Sequence, residues 1–124
     1  MTTGSTGTIE WRDLTVEDAA AVRDFYQSVV GWTHSPISMG DYDDYAMVTQ
    51  EGDTIAGICH ARGSNAKLPP QWLMYITVAD LDESLARSES LGGKVISGPS
   101  NTGSDRYCII ADPAGAAVAL YQKG

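Results

Sequence analysis

Apolar side chains recur along this 124-residue chain with two periods, and the switch from one to the other happens twice. In IEWRDLTV (Ile9–Val16) alternation sets Leu14 and Val16 on one face. In WLMYITV (Trp72–Val78) it does the same for Met74, Ile76 and Val78. A period of two marks a strand with one covered face. Each run then gives way to near-helical spacing: Val22, Phe25 and Val29 within Asp18–Val30, and Leu81, Leu85 and Leu91 within Asp80–Leu91. Phe25 is expected in a core or at a dimer interface. Asp18 and Asp80 stand where the helices begin, able to cap orphan N–H groups or complement the positive helix end. Gly31 and the Gly92–Gly93 pair follow the last turns, where a left-handed residue ends a helix at least cost as glycine. Three short strands come next in each half. They are Trp32–Ser38, Tyr45–Gln50 and Thr54–Ala61, then Lys94–Ser97, Tyr107–Ala111 and Ala116–Gln122, with turns at Glu51–Gly52 and Asp112–Gly115.

Each half therefore reads β-α-β-β-β, and the halves match. TVED (Thr15–Asp18) returns as TVAD (Thr77–Asp80), 62 residues on, half of 124. Laid over each other without gaps, the halves share nine identities: Thr15/Thr77, Val16/Val78, Asp18/Asp80, Ser28/Ser90, Gly31/Gly93, Ser35/Ser97, Ser38/Ser100, Asp43/Asp105 and Tyr45/Tyr107. Chance pairing gives roughly four, and the matches fall at element boundaries. The predicted organisation is a polar tail over 1–7, expected to fray, a first module over 8–61, a linker of turn-forming residues over 62–71, and a second module over 72–124. Together they make one structural domain of the α+β class. One helix cannot cover both faces of a four-stranded sheet. Two tandem modules are thus expected to form a curved mixed sheet around a cleft, with the helices on the outer face.

Composition narrows the function. A net charge of −8 and no basic stripe exclude phosphate-backbone binding, so no nucleic-acid partner is expected. No apolar run approaches the roughly 20 residues of a membrane span, and no charged-then-apolar leader is present. Cys59 and Cys108 suit reduced thiols in a cytoplasm better than a disulfide framework. There is no nucleophile elbow, no phosphate-cradling glycine loop and no Cys/His ligand spacing.

The segments Asp18-x6-Phe25-Tyr26-x2-Val29-x-Gly31-Trp32, Val78-x-Asp80-Leu81-Asp82-x-Ser84, Leu91-Gly92-Gly93 and Asp112-Pro113-x-Gly115 resemble the vicinal oxygen chelate superfamily. This group includes glyoxalase I, extradiol dioxygenases, fosfomycin-resistance proteins and bleomycin-binding proteins. The resemblance covers about residues 9–122. It implies a single divalent metal in catalytic members, held by His, Gln or Glu on the first and last strands of each module. The matching positions here are Trp11, Leu73, Gly57 and Ala119, none of which supplies a ligand. No metal, cofactor or catalytic residue is therefore expected.

What replaces the ligands suggests a slot. A large indole at Trp11 faces the small Gly57 and Ala119, a shape suited to a planar ring system. Parity places Asp13, Ile55, Cys59, Tyr75, Ala117 and Tyr121 on the same face, with Leu73 among them, and Tyr45 and Tyr107 close it from the third strands. Asp13 offers a carboxylate to a cationic group. Asp41, Asp43 and Asp44 are read as a solvated loop, Trp72 as lying under the helix, His60 as facing the helix side or the rim, and His34 as exposed or at an interface. The expected function is metal-independent binding of a small aromatic or cationic natural product, as in antibiotic-sequestering members of the superfamily, which are homodimers. The competing expectations are a metal-free enzyme using Asp13, Tyr75, Tyr121, His60 or Cys59, a metal-dependent lyase or dioxygenase, and a non-catalytic interaction module.

Overall fold

The structure is a computed structural model and describes residues 5–124, apart from the side chain of Ser64. The elements run β1 (Ile9–Val16), α1 (Ala19–Val30), β2 (Thr33–Ser38), β3 (Asp43–Val48), β4 (Thr54–His60), a 3-10 turn (Gly63–Asn65), β5 (Trp72–Thr77), α2 (Leu81–Ser90), β6 (Lys94–Thr102), β7 (Asp105–Ala111) and β8 (Ala117–Gln122). The order β-α-β-β-β, twice over, is that expected from the patterning, and the class is α+β. Contacts group the described residues into two compact units, 12–72 and 5–11 with 73–124.

Within the first unit β1 pairs in parallel with β4, and β3 lies antiparallel to both β4 and β2. Within the second β5 pairs in parallel with β8, and β7 lies antiparallel to both β8 and β6. The two frames are thus the same. Asp18 Oδ1 accepts from the Ala21 N–H at 3.0 Å, and Asp80 Oδ1 from the Glu83 N–H at 3.2 Å, so both predicted caps form. Gly31 ends α1 at φ +79°, a conformation that side chains with a Cβ rarely adopt. The first four residues of the predicted tail lie outside the described residues; the Gly7 N–H donates to the Thr77 carbonyl at 2.8 Å.

Each helix covers one sheet face. Under α1 lie Ala19, Met47, Ala56 and Ile58, all fully buried, with Val16, Val22, Tyr26 and Trp72 packed against them. Under α2 lie Leu81, Cys108 and Ile110, with Leu85, Val118 and Leu120 around them. Burial of a side chain such as Met47 or Ile58 stabilises by about 1.5–3 kcal/mol. The helix stripe predicted from Val22, Phe25 and Val29 needs correction. α1 turns Ala19, Val22 and Tyr26 inward, and Phe25 stays 55% exposed and Val29 61%. Both triplets have the same spacing. The indole of Trp72, lying under the helix as parity predicts, decides between them by donating to the Tyr26 hydroxyl at 3.1 Å. Leu91, expected on the α2 stripe, is 74% exposed beyond the helix end.

Irregularities at two places break the match between the two frames: β6 shifts register against β7 between Val95 and Ser97 and between Ser97 and Ser100, which β2 does not do against β3, and β4 carries a bulge. Between β3 and β4, Met47 pairs with Ala56 but Val48 pairs with Thr54, leaving Ile55 as an extra residue. Such a bulge frees a backbone carbonyl from the ladder. Arg12 Nη1 donates to the Ile55 carbonyl at 3.0 Å and so restores a partner.

Candidate functional site

The face of the second unit turned away from α2 is set by the register. Cys108, Ile110 and Leu120 pack under the helix, so Tyr107, Ile109, Ala119 and Tyr121 point the other way. Tyr75 pairs with Ala119, and Tyr107 pairs with Tyr121. Three phenol rings meet here: Tyr75 lies 6.1 Å from Tyr107 and 6.3 Å from Tyr121, centroid to centroid. Leu73, Ile109 and Ala119, on the same face, are essentially fully buried. Five residues predicted for this surface, Leu73, Tyr75, Tyr107, Ala119 and Tyr121, are brought together. The Tyr121 hydroxyl donates to Asp105 Oδ2, and the Gly124 N–H donates to Asp105 Oδ1 at 2.8 Å. Burial, and then the hydrogen bond and charge of Asp105, push the Tyr121 phenol up to about 12. The same bonds, that from Gly124 first, hold the Asp105 carboxyl below its ordinary value.

The corresponding face of the first unit carries other chemistry. Asp13 pairs with Gly57, and Gly57 with Ala46. Next along, Thr15 pairs with Cys59. Asp44, adjacent to the Tyr45–Ile58 pair, turns to the same side as Cys59. It is only 7% exposed and accepts from the His60 backbone N–H at 2.8 Å. Burial first, then the negative charges of Asp13 and Asp44 and a hydrogen bond to Asp44, hold the Cys59 thiol far above the usual thiol range. It stays protonated and is no nucleophile. Trp11, half-buried, precedes Asp13 by two residues on β1 and shares its alternation.

Three expectations are corrected here. Tyr45 pairs with Ile58 and packs against the core under α1, where the Arg23 guanidinium lies 4.5 Å from its ring centroid. Ile55, the bulged residue, also packs against that core. Asp44, read as a loop residue, is a buried strand residue, because β3 begins at Asp43, two residues before the predicted start. The misplaced faces have one cause. Gly57 and Ala119 are equivalent 62 residues apart, but their β3 and β7 partners, Ala46 and Ile109, are 63 apart. The bulge adds one residue, so the counterpart of Tyr45 is Cys108 and that of Tyr107 is Asp44. Three of the nine identities, Ser38/Ser100, Asp43/Asp105 and Tyr45/Tyr107, are out of frame. The alternation Asp44-Ala46-Val48 against Tyr45-Met47 carried the signal that could have shown this.

Both histidines lie on the helix side of the first unit. His34 Nδ1 bonds Gln27 Oε1, and its ring meets Tyr45 at 5.4 Å. The His60 ring lies 5.5 Å from Tyr42 and 6.0 Å from Tyr45. A cavity of about 520 Å³ between α2 and β6, lined by Leu85, Glu89, Lys94 and Val95 among others, opens away from the tyrosines.

Comparison with known proteins decides the family. The model of the Glyoxalase/Bleomycin resistance protein/Dioxygenase superfamily matches residues 8–120. The chain belongs to this superfamily. Among its relatives is the anthracycline biosynthesis protein DnrV of Streptomyces peucetius, 32% identical over 137 residues, covering 100% of this chain and 50% of that protein. Another is the putative glyoxylase CFP32 of Mycobacterium bovis, 36% identical over 120 residues, covering 94% and 46%. The chain spans about half the length of these curated relatives. Among solved structures, methylmalonyl-CoA epimerase from Streptomyces coelicolor superposes with a TM-score of 0.56 at 16% identity, covering 97% of this chain and 99% of that one. The epimerase from Mycobacterium tuberculosis superposes with a TM-score of 0.58 at 18% identity, covering 100% and 93%. These two show the fold alone. Members of the superfamily bind small molecules and often form dimers.

Its catalytic members imply a divalent metal, and the residues present do not fit one. Trp11, Gly57, Leu73 and Ala119 offer no donor side chain, and among the described residues no three His, Cys, Asp or Glu side chains are grouped to hold an ion. No helix among the described residues is long and apolar enough to cross a membrane.

Proposed function

We propose that this chain is a metal-independent small-molecule binding protein that holds a planar aromatic ligand, of the antibiotic or natural-product kind, without transforming it. The single observation that carries the reading is the face of the second unit turned away from α2, where the partly exposed rings of Tyr75, Tyr107 and Tyr121 gather near the buried Ala119. Phenol rings give a planar ligand large apolar contact area at low side-chain entropy cost and keep a polar edge for recognition. Leu73 belongs to the same face and is buried. The first unit, taken by itself, offers Asp13, Gly57 and Cys59 as a separate set of proposed contacts, of which Asp13 suits a cationic group; Trp11 precedes Asp13 on β1. Two relatives named for anthracycline biosynthesis support a polycyclic aromatic ligand. The proposed working state is a homodimer in the cytoplasm.

Tryptophan fluorescence titrated with planar aromatic antibiotics, with the compound then recovered and weighed by mass spectrometry, tests this. Saturable quenching with unchanged compound is expected. Trp11→Ala should lower the quenching while leaving the circular dichroism of the fold intact. Recovery of a converted compound defeats sequestration.

A second reading, a metal-free enzyme, draws on the relative named as a putative glyoxylase. Proton transfer there would fall to Asp13, Tyr75 or Tyr121, since Cys59 is held protonated and His60 packs on the helix side. The mass of the recovered compound separates the two readings directly.

A further inference from the structure

On the tyrosine face of the second unit the Tyr121 phenol has a defined role as a hydrogen-bonding group. The Tyr121 hydroxyl is bonded to Asp105, whose carboxyl is held below its ordinary value by the Gly124 N–H and by Tyr121 itself. An ionised carboxylate has no proton to give, so the direction of this bond is fixed: Tyr121 donates. A phenol has only one proton. Once it is committed to Asp105, the oxygen can meet a ligand only through its lone pairs. The Asp105 side chain lies two residues from Tyr107 on β7, at the end of the face, so the bond holds the Tyr121 ring along the row of tyrosines. Its second carboxylate oxygen is engaged by the Gly124 N–H, which fixes the carboxylate as well.

We propose that Asp105 is a positioning residue that locks Tyr121 as a hydrogen-bond acceptor, so that the tyrosine face selects planar aromatic ligands carrying an O–H or N–H donor at their edge over ligands carrying only ethers or esters. This rests on the aromatic-ligand reading above and sharpens it to a class of ligand. Discrimination of this kind is stronger than that given by shape alone. An ether oxygen facing the Tyr121 oxygen sets two acceptors against each other, and neither finds a partner when water is excluded.

The test compares two probes that differ only in the donor, a naphthalene diol and its dimethyl ether, by equilibrium dialysis against the whole protein. The wild type is expected to hold the diol about tenfold more tightly, the worth of one hydrogen bond with a penalty for the mismatch. Tyr121→Phe should bring the diol down to the affinity of the ether. Asp105→Ala frees the phenolic proton to turn toward the ligand, so the ether should gain and the ratio narrow to about threefold or less. Circular dichroism establishes that each variant is folded. If Asp105→Ala fails to fold, Tyr121→Phe decides alone, and retained discrimination overturns the proposal. An unchanged ratio in a folded Asp105→Ala overturns the proposal and leaves the aromatic reading standing. Failure of the wild type to hold either probe overturns both.

Discussion

The open faces of the two units make a controlled comparison, because the backbone is kept and the chemistry changed. Row by row, Asp13, Gly57 and Ala46 in one unit stand where Tyr75, Ala119 and Ile109 stand in the other. Thr15 and Cys59 correspond to Thr77 and Tyr121, and Asp44 to Tyr107. One face is small and acidic, with its carboxylate and thiol turned on each other; the other is broad and phenolic. Ladder bonds are made by the backbone and do not depend on which side chains they carry, so a repeated frame can present opposite surfaces. The helix-covered faces lack this freedom, since both must fill the same space with apolar volume.

That contrast can be broken by substitution. The largest effects should fall on the covered faces and be alike in the two units: Met47→Ala and Leu81→Ala should each lose about 2–5 kcal/mol in urea denaturation, because both side chains are fully buried. Next come the counterparts Asp44 and Tyr107, which should differ. Asp44→Ala leaves the His60 N–H and the Cys59 thiol without their acceptor, costing about 1–3 kcal/mol, whereas Tyr107→Phe should stay within about 0.5 kcal/mol. Equal losses would sink the comparison.

A smaller effect concerns the thiol. Because carboxylate charge helps to raise Cys59, Asp44→Ala should speed its alkylation near pH 9 severalfold, in a Cys108→Ser background, while burial keeps it slower than a free thiol. The linkage has a definite sign. A thiol raised in the folded state adds stability that is complete below its ordinary titration and declines as pH rises above it. The smallest effect is spectroscopic. Tyr121, at about 12 when folded against about 10 when free, contributes stability that is complete below about pH 10 and lost toward pH 12. In ultraviolet titration one of the six tyrosines should ionise late, and Tyr121→Phe should remove that late step.

The fold was legible because its signals are local. Period switches, two aspartate caps and helix-ending glycines set the two long helices and most strands to within about two residues, whereas β6, expected to end at Ser97, runs on to Thr102. The tyrosine face was legible for a related reason: β7 and β8 pair without interruption, so parity counted from Ala119 reaches Tyr121 correctly and carries across the ladder to Tyr107. The acidic face was legible only in part: Asp13, Gly57 and Cys59 were placed on it, but Asp44 was missed and Tyr45 and Ile55 were misplaced. Parity survives only as long as the register does, and one residue out of step turns every side chain beyond it to the opposite side. Ile55 makes that step in a stretch, TIAG, with no proline or charge to mark it. Phe25 was misread for a different reason. Helical spacing defined two equivalent stripes on α1, and only a partner from a distant strand, Trp72, chose between them.

The bulge at Ile55 also bears on ancestry. A gene duplicated in tandem leaves a record in the letters its halves still share, and that record is normally sought by sliding one half over the other as a rigid ruler. Here the extra residue at Ile55 and the extra residues in β6, absorbed as kinks, have displaced parts of the ruler. Three of the surviving coincidences are therefore accidents, and the kinship of Asp44 with Tyr107 is invisible to letter matching. Duplicated sheets elsewhere will hide their parentage in the same way wherever one copy has acquired such a kink, and aligning them by ladder rather than by letter should recover it.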